Sequence, residues 1–165
     1  MMIDQLLAAI ASRTDPEALR DRAFLTLLWD RAFRIKDVHP LDTEDINLDR
    51  GIVRIRDRVN RVFRFHPIEA GTRTTLEQWI HHRRDVVGAL FTTIAPEGKI
   101  PRRLAPRDLK IILMGCASEA RLSIKADDYR RAALVEFIRS RRSPATCEPE
   151  RIEPVKKPRL DIRRI

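Results

Sequence analysis

The chain has 165 residues, enough for one domain with a modest core. Hydrophobic content of 43% is that of a globular protein, while charged residues reach 35% and aromatics only 5%. A formal net charge of +9 and a pI near 10.5 favour a polyanionic partner, either nucleic acid or an acidic surface. No apolar run approaches the roughly 18 residues needed to span a bilayer. The N-terminus has no basic region leading into an apolar one, so no signal peptide is expected. Cys116 and Cys147 are far apart and lack metal spacing, which predicts a reducing compartment and no disulfide framework.

Ile3, Leu6, Leu7 and Ile10 recur on one face of a helix expected over Met2 to Ser12. Asp15 followed by Pro16 predicts a helix start: the carboxylate accepts from unpaired N–H groups and proline fits the first turn. Leu19, Ala23, Phe24, Leu27, Leu28 and Trp29 predict that this helix is largely buried. A short helix is expected around Lys36 to Leu41, with Pro40 near its end. Gly51 closes a turn before Ile52 to Arg56, where Ile52, Arg54 and Arg56 share one face and Val53 and Ile55 the other. Arg61 to Pro67 reads as a second strand, with Phe63 and Phe65 on one side and Arg64 and His66 on the other. With the polar turn Asp57 to Asn60 between them, the two strands predict a hairpin.

A helix is expected from about Thr74 to Arg84, carrying Leu76, Trp79 and Ile80. Pro96 to Arg103 reads as a basic loop. Pro106 starts a helix to about Ala120 with Leu109, Ile112, Leu113 and Cys116 inward. After a connector, Arg121 to Lys125, the last helix is expected over Asp127 to Arg141, packing Tyr129, Ala132, Ala133, Val135, Phe137 and Ile138. Beyond Arg142, Pro144, Pro149, Pro154 and Pro158 break any helix and apolar residues thin out. The expected division is a domain over 1–142 and a basic, disordered tail over 143–165. Residues 139–165 hold nine basic and four acidic side chains, +5 of the +9, and Lys156 and Lys157 form a short basic patch.

The stretch from Arg20 to Val38, RDRAFLTLLWDRAFRIKDV, resembles the opening of the catalytic domain of the tyrosine recombinases, the phage integrase family. That family reads roughly R-D-R-A-L-x-L-x-L-L-Y-x-T-G-L-R-x-S-E-L, then D-I-D, a hairpin, V-P-L, an L-x-x-W helix and an L-F segment. Asp45-Ile46-Asn47, Pro67, Leu76 to Trp79 and Leu90-Phe91 follow in that order here. The resemblance covers about residues 16–138. It implies a mainly helical fold with a small antiparallel hairpin or three-stranded sheet. It also implies double-stranded DNA as partner, no cofactor and no metal, and a cytoplasmic, nucleoid-associated protein. His81-His82 lacks a second ligand pair at metal spacing and reads as a solvated helix face.

The chemistry of this family needs a phosphate clamp, a nucleophile and a proton donor. Arginines grip the non-bridging oxygens, because a planar fork matches a phosphate and keeps its charge. A tyrosine attacks, and a hairpin lysine protonates the leaving hydroxyl. By resemblance, the first clamp arginine is Arg34, with Asp37 as its acidic neighbour. The family's glycine is here Ala32 and its small polar residue Lys36. The family's H-x-L-R falls on Asp127-Asp128-Tyr129-Arg130, making Arg130 the second arginine and putting aspartate where histidine stands. A second register, Arg107-Asp108-Leu109-Lys110, imitates the motif with lysine for arginine. No lysine lies between Gly51 and Pro67; Arg58 and Arg61 occupy the turn.

Tyr129 is the one tyrosine, and its position inside the arginine motif predicts packing. The expected function is therefore a degenerate relative that binds DNA without its own nucleophile. Arg34 and Arg130 are the vestigial clamp, and Arg54, Arg56, Arg58, Arg61, Arg64, Lys156 and Lys157 the DNA contacts. The alternatives are a subunit sharing an active site in trans and a regulator of a full-length recombinase. Its protein partner would then be such a recombinase or another copy of itself.

Overall fold

A computed structural model describes residues 1–57, 62–84, 86–96 and 99–142. Arg58, Arg61, Lys156 and Lys157 lie outside the described residues, as does the whole segment 143–165. In chain order the elements are α1 (Met2–Ala9), α2 (Pro16–Asp30), α3 (Ile35–Val38), a 3-10 turn (Thr43–Asp45) and the strands β1 (Ile46–Asn47), β2 (Ile52–Arg56) and β3 (Phe63–Pro67). Then come α4 (Ala70–His82), α5 (Pro106–Glu119) and α6 (Ala126–Arg142). The fold is mostly helical with one antiparallel three-stranded sheet in the order β1-β2-β3.

Helix α2 is the axis of the molecule. Asp15 Oδ1 accepts from Ala18 N–H at 2.9 Å and Pro16 occupies the first turn, so the expected start is the observed one. From Ala23 to Leu28 every residue is buried, because α4 and α6 pack on this helix and α1 and α5 also touch it. An all-round apolar stretch of this kind belongs to a helix with neighbours on every side. Its far end is a Schellman turn: Phe33 N–H donates to Leu28 O at 3.0 Å and Ala32 N–H to Trp29 O at 3.3 Å. Ala32 sits at φ +51, the left-handed conformation that the motif demands. A Cβ there costs roughly 1–2 kcal/mol, which explains why glycine is the natural occupant of this position.

Several boundaries differ from expectation. Helix α1 stops at Ala9, and α3 spans only Ile35–Val38, so Pro40 lies beyond it. Helix α4 begins at Ala70, a full turn before Thr74. Its capping carboxylate comes from elsewhere in the chain: Asp30, the last residue of α2, accepts from Glu69 N–H at 2.7 Å. In α6, Tyr129 and Ala133 are buried and Phe137 half-buried, but Val135 and Ile138 are 48% and 44% exposed, against the expected packing. They lie roughly 120° and 180° around the helix from Tyr129, away from the stripe that meets α2.

The sheet register places Arg54 opposite Phe65, Arg56 opposite Phe63, Val53 opposite His66 and Ile55 opposite Arg64. Directly paired residues share a face. Val53 and Ile55 are buried against the core, while Phe63 and Phe65 stand on the outer face with Arg54 and Arg56. The aromatic pair of β3 is thus the solvent side of the sheet.

Candidate nucleic-acid interface

The Schellman turn aims the chain at Arg34. Arg34 is extended at φ −87, ψ 150 and caps α3, and Asp37 Oδ2 accepts from its backbone N–H at 3.2 Å. Asp37, the expected acidic neighbour, therefore holds the arginine's backbone, and the Arg34 side chain is exposed. Arg130 arrives from α6. Its Nε donates to Ala32 O at 3.2 Å, so both candidate clamp residues meet at one turn. The guanidinium of Arg130 spends one donor on the turn itself, an anchoring contact.

Tyr129 occupies the core-facing slot beside it. It is 1% exposed, its hydroxyl donates to Leu25 O at 2.8 Å, and its ring meets Trp29 edge-on at 5.2 Å. Burial holds its phenol well above the ordinary value of 10.0. Tyr129, expected to pack, is thus a core residue of α6. Leu109 is also fully buried, but the lysine after it, Lys110, lies exposed on α5, where no described hydrogen bond ties it to the Arg34 turn. Asp127, at the histidine position, is exposed.

On the sheet, Arg54 Nε donates to Asp45 Oδ1 at 2.7 Å and its guanidinium lies over the Phe63 ring at 4.8 Å. Arg56 is exposed beside it. Arg64 does not join them: it points from the opposite face of β3 and pairs with Asp57 at 2.8 Å. The five expected basic contacts of the hairpin thus reduce, among the described residues, to Arg54 and Arg56 on one face and Arg64 on the other. A cleft of about 450 Å³ runs between α3 and this outer face, lined by Lys36, Asp37, Asp42, Asp45, Arg54, Arg56 and Phe63 among others.

Sequence reasoning missed Arg31 and Arg103. Arg31 Nε donates to Pro67 O at 2.9 Å and its guanidinium covers the Phe137 ring. Arg103 donates to His39 O at 3.0 Å and Leu41 O at 2.8 Å and pairs with Asp42. Both look like solvated arginines in one dimension, and only the fold shows them stitching the turn and the cleft wall. His66, packed edge-on against Phe33 at 5.2 Å, is pushed below 6.5 by burial and then by Arg31 and Arg64 nearby, so its neutral form is favoured. Among the described residues, no cluster of three His, Cys, Asp or Glu could hold a metal ion, and no helix is long and apolar enough to cross a membrane.

The fold is that of the catalytic half of site-specific recombinases. It superposes on the XerA recombinase with a TM-score of 0.69 at 14% identity, covering 84% of this chain and 48% of that one. The XerH recombinase in its pre-cleavage complex with difH substrate gives a TM-score of 0.65 at 16% identity, covering 85% of this chain and 42% of that one. Residues 2–146 match the phage integrase family, and the chain belongs to it. It is 33% identical to tyrosine recombinase XerC of Pseudomonas aeruginosa over 97 residues, 57% of this chain and 30% of that recombinase. It is 29% identical to tyrosine recombinase XerD of Xanthomonas axonopodis pv. citri over 99 residues, 60% of this chain and 32% of that protein. The matched part thus spans about a third of the length of these curated relatives.

Proposed function

We propose that these 165 residues bind double-stranded DNA through the face formed by the Arg34 turn, α3 and the outer side of the sheet, and do not cleave it by themselves. The burial of Tyr129 carries the reading. Attack on a phosphate needs a tyrosine oxygen in line with the scissile bond, within a fraction of an ångström. The Tyr129 hydroxyl instead points at Leu25 O in the core, with its proton held more firmly than that of a free phenol. Swinging it out would empty a core site and orphan a carbonyl, at a cost of several kcal/mol. The aspartate at 127 and the absence of lysine between Gly51 and Pro67 remove the usual proton donors, so the site is degenerate in chemistry while its clamp residues persist. Descent from a mobile element fits this loss of chemistry with retention of fold.

Binding should tolerate sequence and weaken steeply with salt, since each neutralised phosphate releases about 0.9 counterion. Titration of a duplex at several salt concentrations measures this; equal affinity throughout, or none at low salt, would refute it. Cleavage is tested with a nicked suicide duplex that traps phosphotyrosine. No adduct is expected on this chain. An adduct that survives denaturation and vanishes in Tyr129→Phe would overturn the non-cleaving reading.

A second reading is favoured by the convergence of Arg34 and Arg130 on one turn. A full-length recombinase or a second copy could supply the tyrosine to a clamp assembled here. Adding a tyrosine-bearing recombinase to the same assay would then produce an adduct on that partner alone, lost with Arg34→Ala in this chain.

A further inference from the structure

The outer face of the sheet carries a feature that phosphate binding does not use. Phe63 and Phe65 are 51% and 42% exposed on a strand whose partner residues, Arg56 and Arg54, are arginines. Exposed aromatic rings on a sheet gain nothing for the core. Interleaved with arginines, they match the stacking platforms on which unpaired bases sit. Arg54 and Phe63 already form one such layer, guanidinium over ring at 4.8 Å, and Arg54 is held there by Asp45 at 2.6 Å. A planar group stacked on this pair would enter the cleft beside α3, whose volume of about 450 Å³ falls in the range of small-ligand sites.

The cleft's charge distinguishes a base from a phosphate. Its wall carries Asp37, Asp42 and Asp45. Asp45 is held by Arg54 and Asp42 by Arg103, whereas Asp37 is held through a backbone N–H. Carboxylates repel a phosphate but accept hydrogen bonds from the N–H-bearing edge of a base. Lys36 and Arg56 lie on the same cleft and suit the backbone that the base hangs from.

We propose that the cleft between α3 and the outer sheet face seats one unpaired nucleobase of DNA, stacked on the Arg54–Phe63 pair with Asp37 facing its hydrogen-bonding edge. The proposal deepens the DNA-binding reading and rests on it for the nature of the ligand. It gives the chain a preference for DNA with an extrahelical or unpaired base over a fully paired duplex.

The test uses the full chain and two duplexes of equal length, one fully paired and one bearing a single extrahelical 2-aminopurine. The expected result is about tenfold tighter binding of the bulged duplex, the scale of one stacked base, with a change in 2-aminopurine emission on binding. Phe63→Leu keeps bulk but removes the aromatic face, and Phe63→Tyr keeps the face. The ratio of the two affinities should collapse in the first and survive in the second. Thermal melts of both variants establish folding, which an exposed position should leave intact.

Binding both duplexes equally would overturn this proposal while the DNA-binding reading stands. Binding the bulge but not the paired duplex would do the reverse. A ratio unchanged in Phe63→Leu would also overturn it. So would a concentration-dependent dimer that this substitution abolishes without altering DNA affinity, since the face would then be a protein contact along the β3 edge.

Discussion

At the seam between α2 and α6, Tyr129 is enclosed, its ring set against Trp29 and its hydroxyl bonded to Leu25 O. On the outer face of the sheet, Phe63 stands half in solvent beneath an arginine. The polar aromatic is inside and the apolar ones outside, the reverse of what hydropathy alone assigns. The difference teaches where each ring finds its partner. The seam supplies a backbone acceptor, as the segment after α4 does for Trp79, whose Nε1 donates to Leu90 O at 2.8 Å. A buried hydroxyl so satisfied costs little and adds area. The sheet face offers its rings an arginine and open solvent, so they add little to the core.

The largest break in this comparison should come from Tyr129→Ala. Removing the ring opens a cavity at the α2–α6 seam, and chemical denaturation should show a loss of about 3–5 kcal/mol. Tyr129→Phe should lose only about 1 kcal/mol, the net value of the hydrogen bond. Next comes Asp30, whose side chain is fully buried yet ionisable. Asp30→Ala leaves Glu69 N–H without its acceptor at the start of α4. The cost of that orphaned donor, roughly 1–3 kcal/mol, should exceed the gain from deleting a poorly solvated carboxylate.

Asp30→Asn sharpens the point through pH. Burial raises the Asp30 carboxyl above 3.8, against the opposing pull of the Glu69 N–H. A raised folded value means that the stability tied to the protonated form is complete below 3.8 and is lost as pH rises through the folded value. Asparagine never ionises, so unfolding free energies measured from pH 3.8 upward should shift progressively in favour of the variant.

Smaller effects bracket the turn between the two regions. Ala32→Gly relieves roughly 1–2 kcal/mol of left-handed strain. It also forfeits a buried methyl worth about 0.8 kcal/mol and adds freedom to the unfolded chain. The net change in melting free energy should stay below about 1 kcal/mol. At the far end of the scale, Phe65→Ser should alter stability by no more than about 0.5 kcal/mol in the same measurement, as for other exposed positions. A loss of several kcal/mol there would show that the sheet face is structural after all.

What could be read from sequence follows the range of the forces involved. The start of α2 was legible because Asp15 and Pro16 act within one turn of each other. The start of α4 was not, because its capping carboxylate comes from Asp30, and Gly71 in its first turn gives no helical signal. Alternation in β3 separates Phe63 and Phe65 from Arg64 and His66 but carries no statement about which side is covered. That is decided by pairing with β2. Val135 and Ile138 read as core because apolar residues usually have cover, and the described residues supply none on that side of α6. Arg34 and Arg130 were placed by resemblance alone, since no local rule brings residues so far apart to one turn. The anchoring of Arg130 on Ala32 O and the buried carboxylate of Asp30 had no signal in one dimension.

Two of these bonds have a joint consequence. Asp30 binds Glu69 N–H, and Arg31 binds Pro67 O, so the chain between them leaves α2 and returns to α4 through a clasp closed at its neck. The Arg34 turn, α3 and all three strands lie between its two ends, and Arg130 on Ala32 O, Arg103 on His39 O and Leu41 O, and the buried Val53 and Ile55 fasten them further. In native-state hydrogen exchange the excursion should behave as one cooperative unit, opening together at a free energy below that of global unfolding. Cutting the clasp should lower that opening free energy for the strand amides while leaving the slowest amides of α2 near their original protection. The arginines on this face would then be presented by a segment whose hold on the helical core is set at several points, the clasp among them.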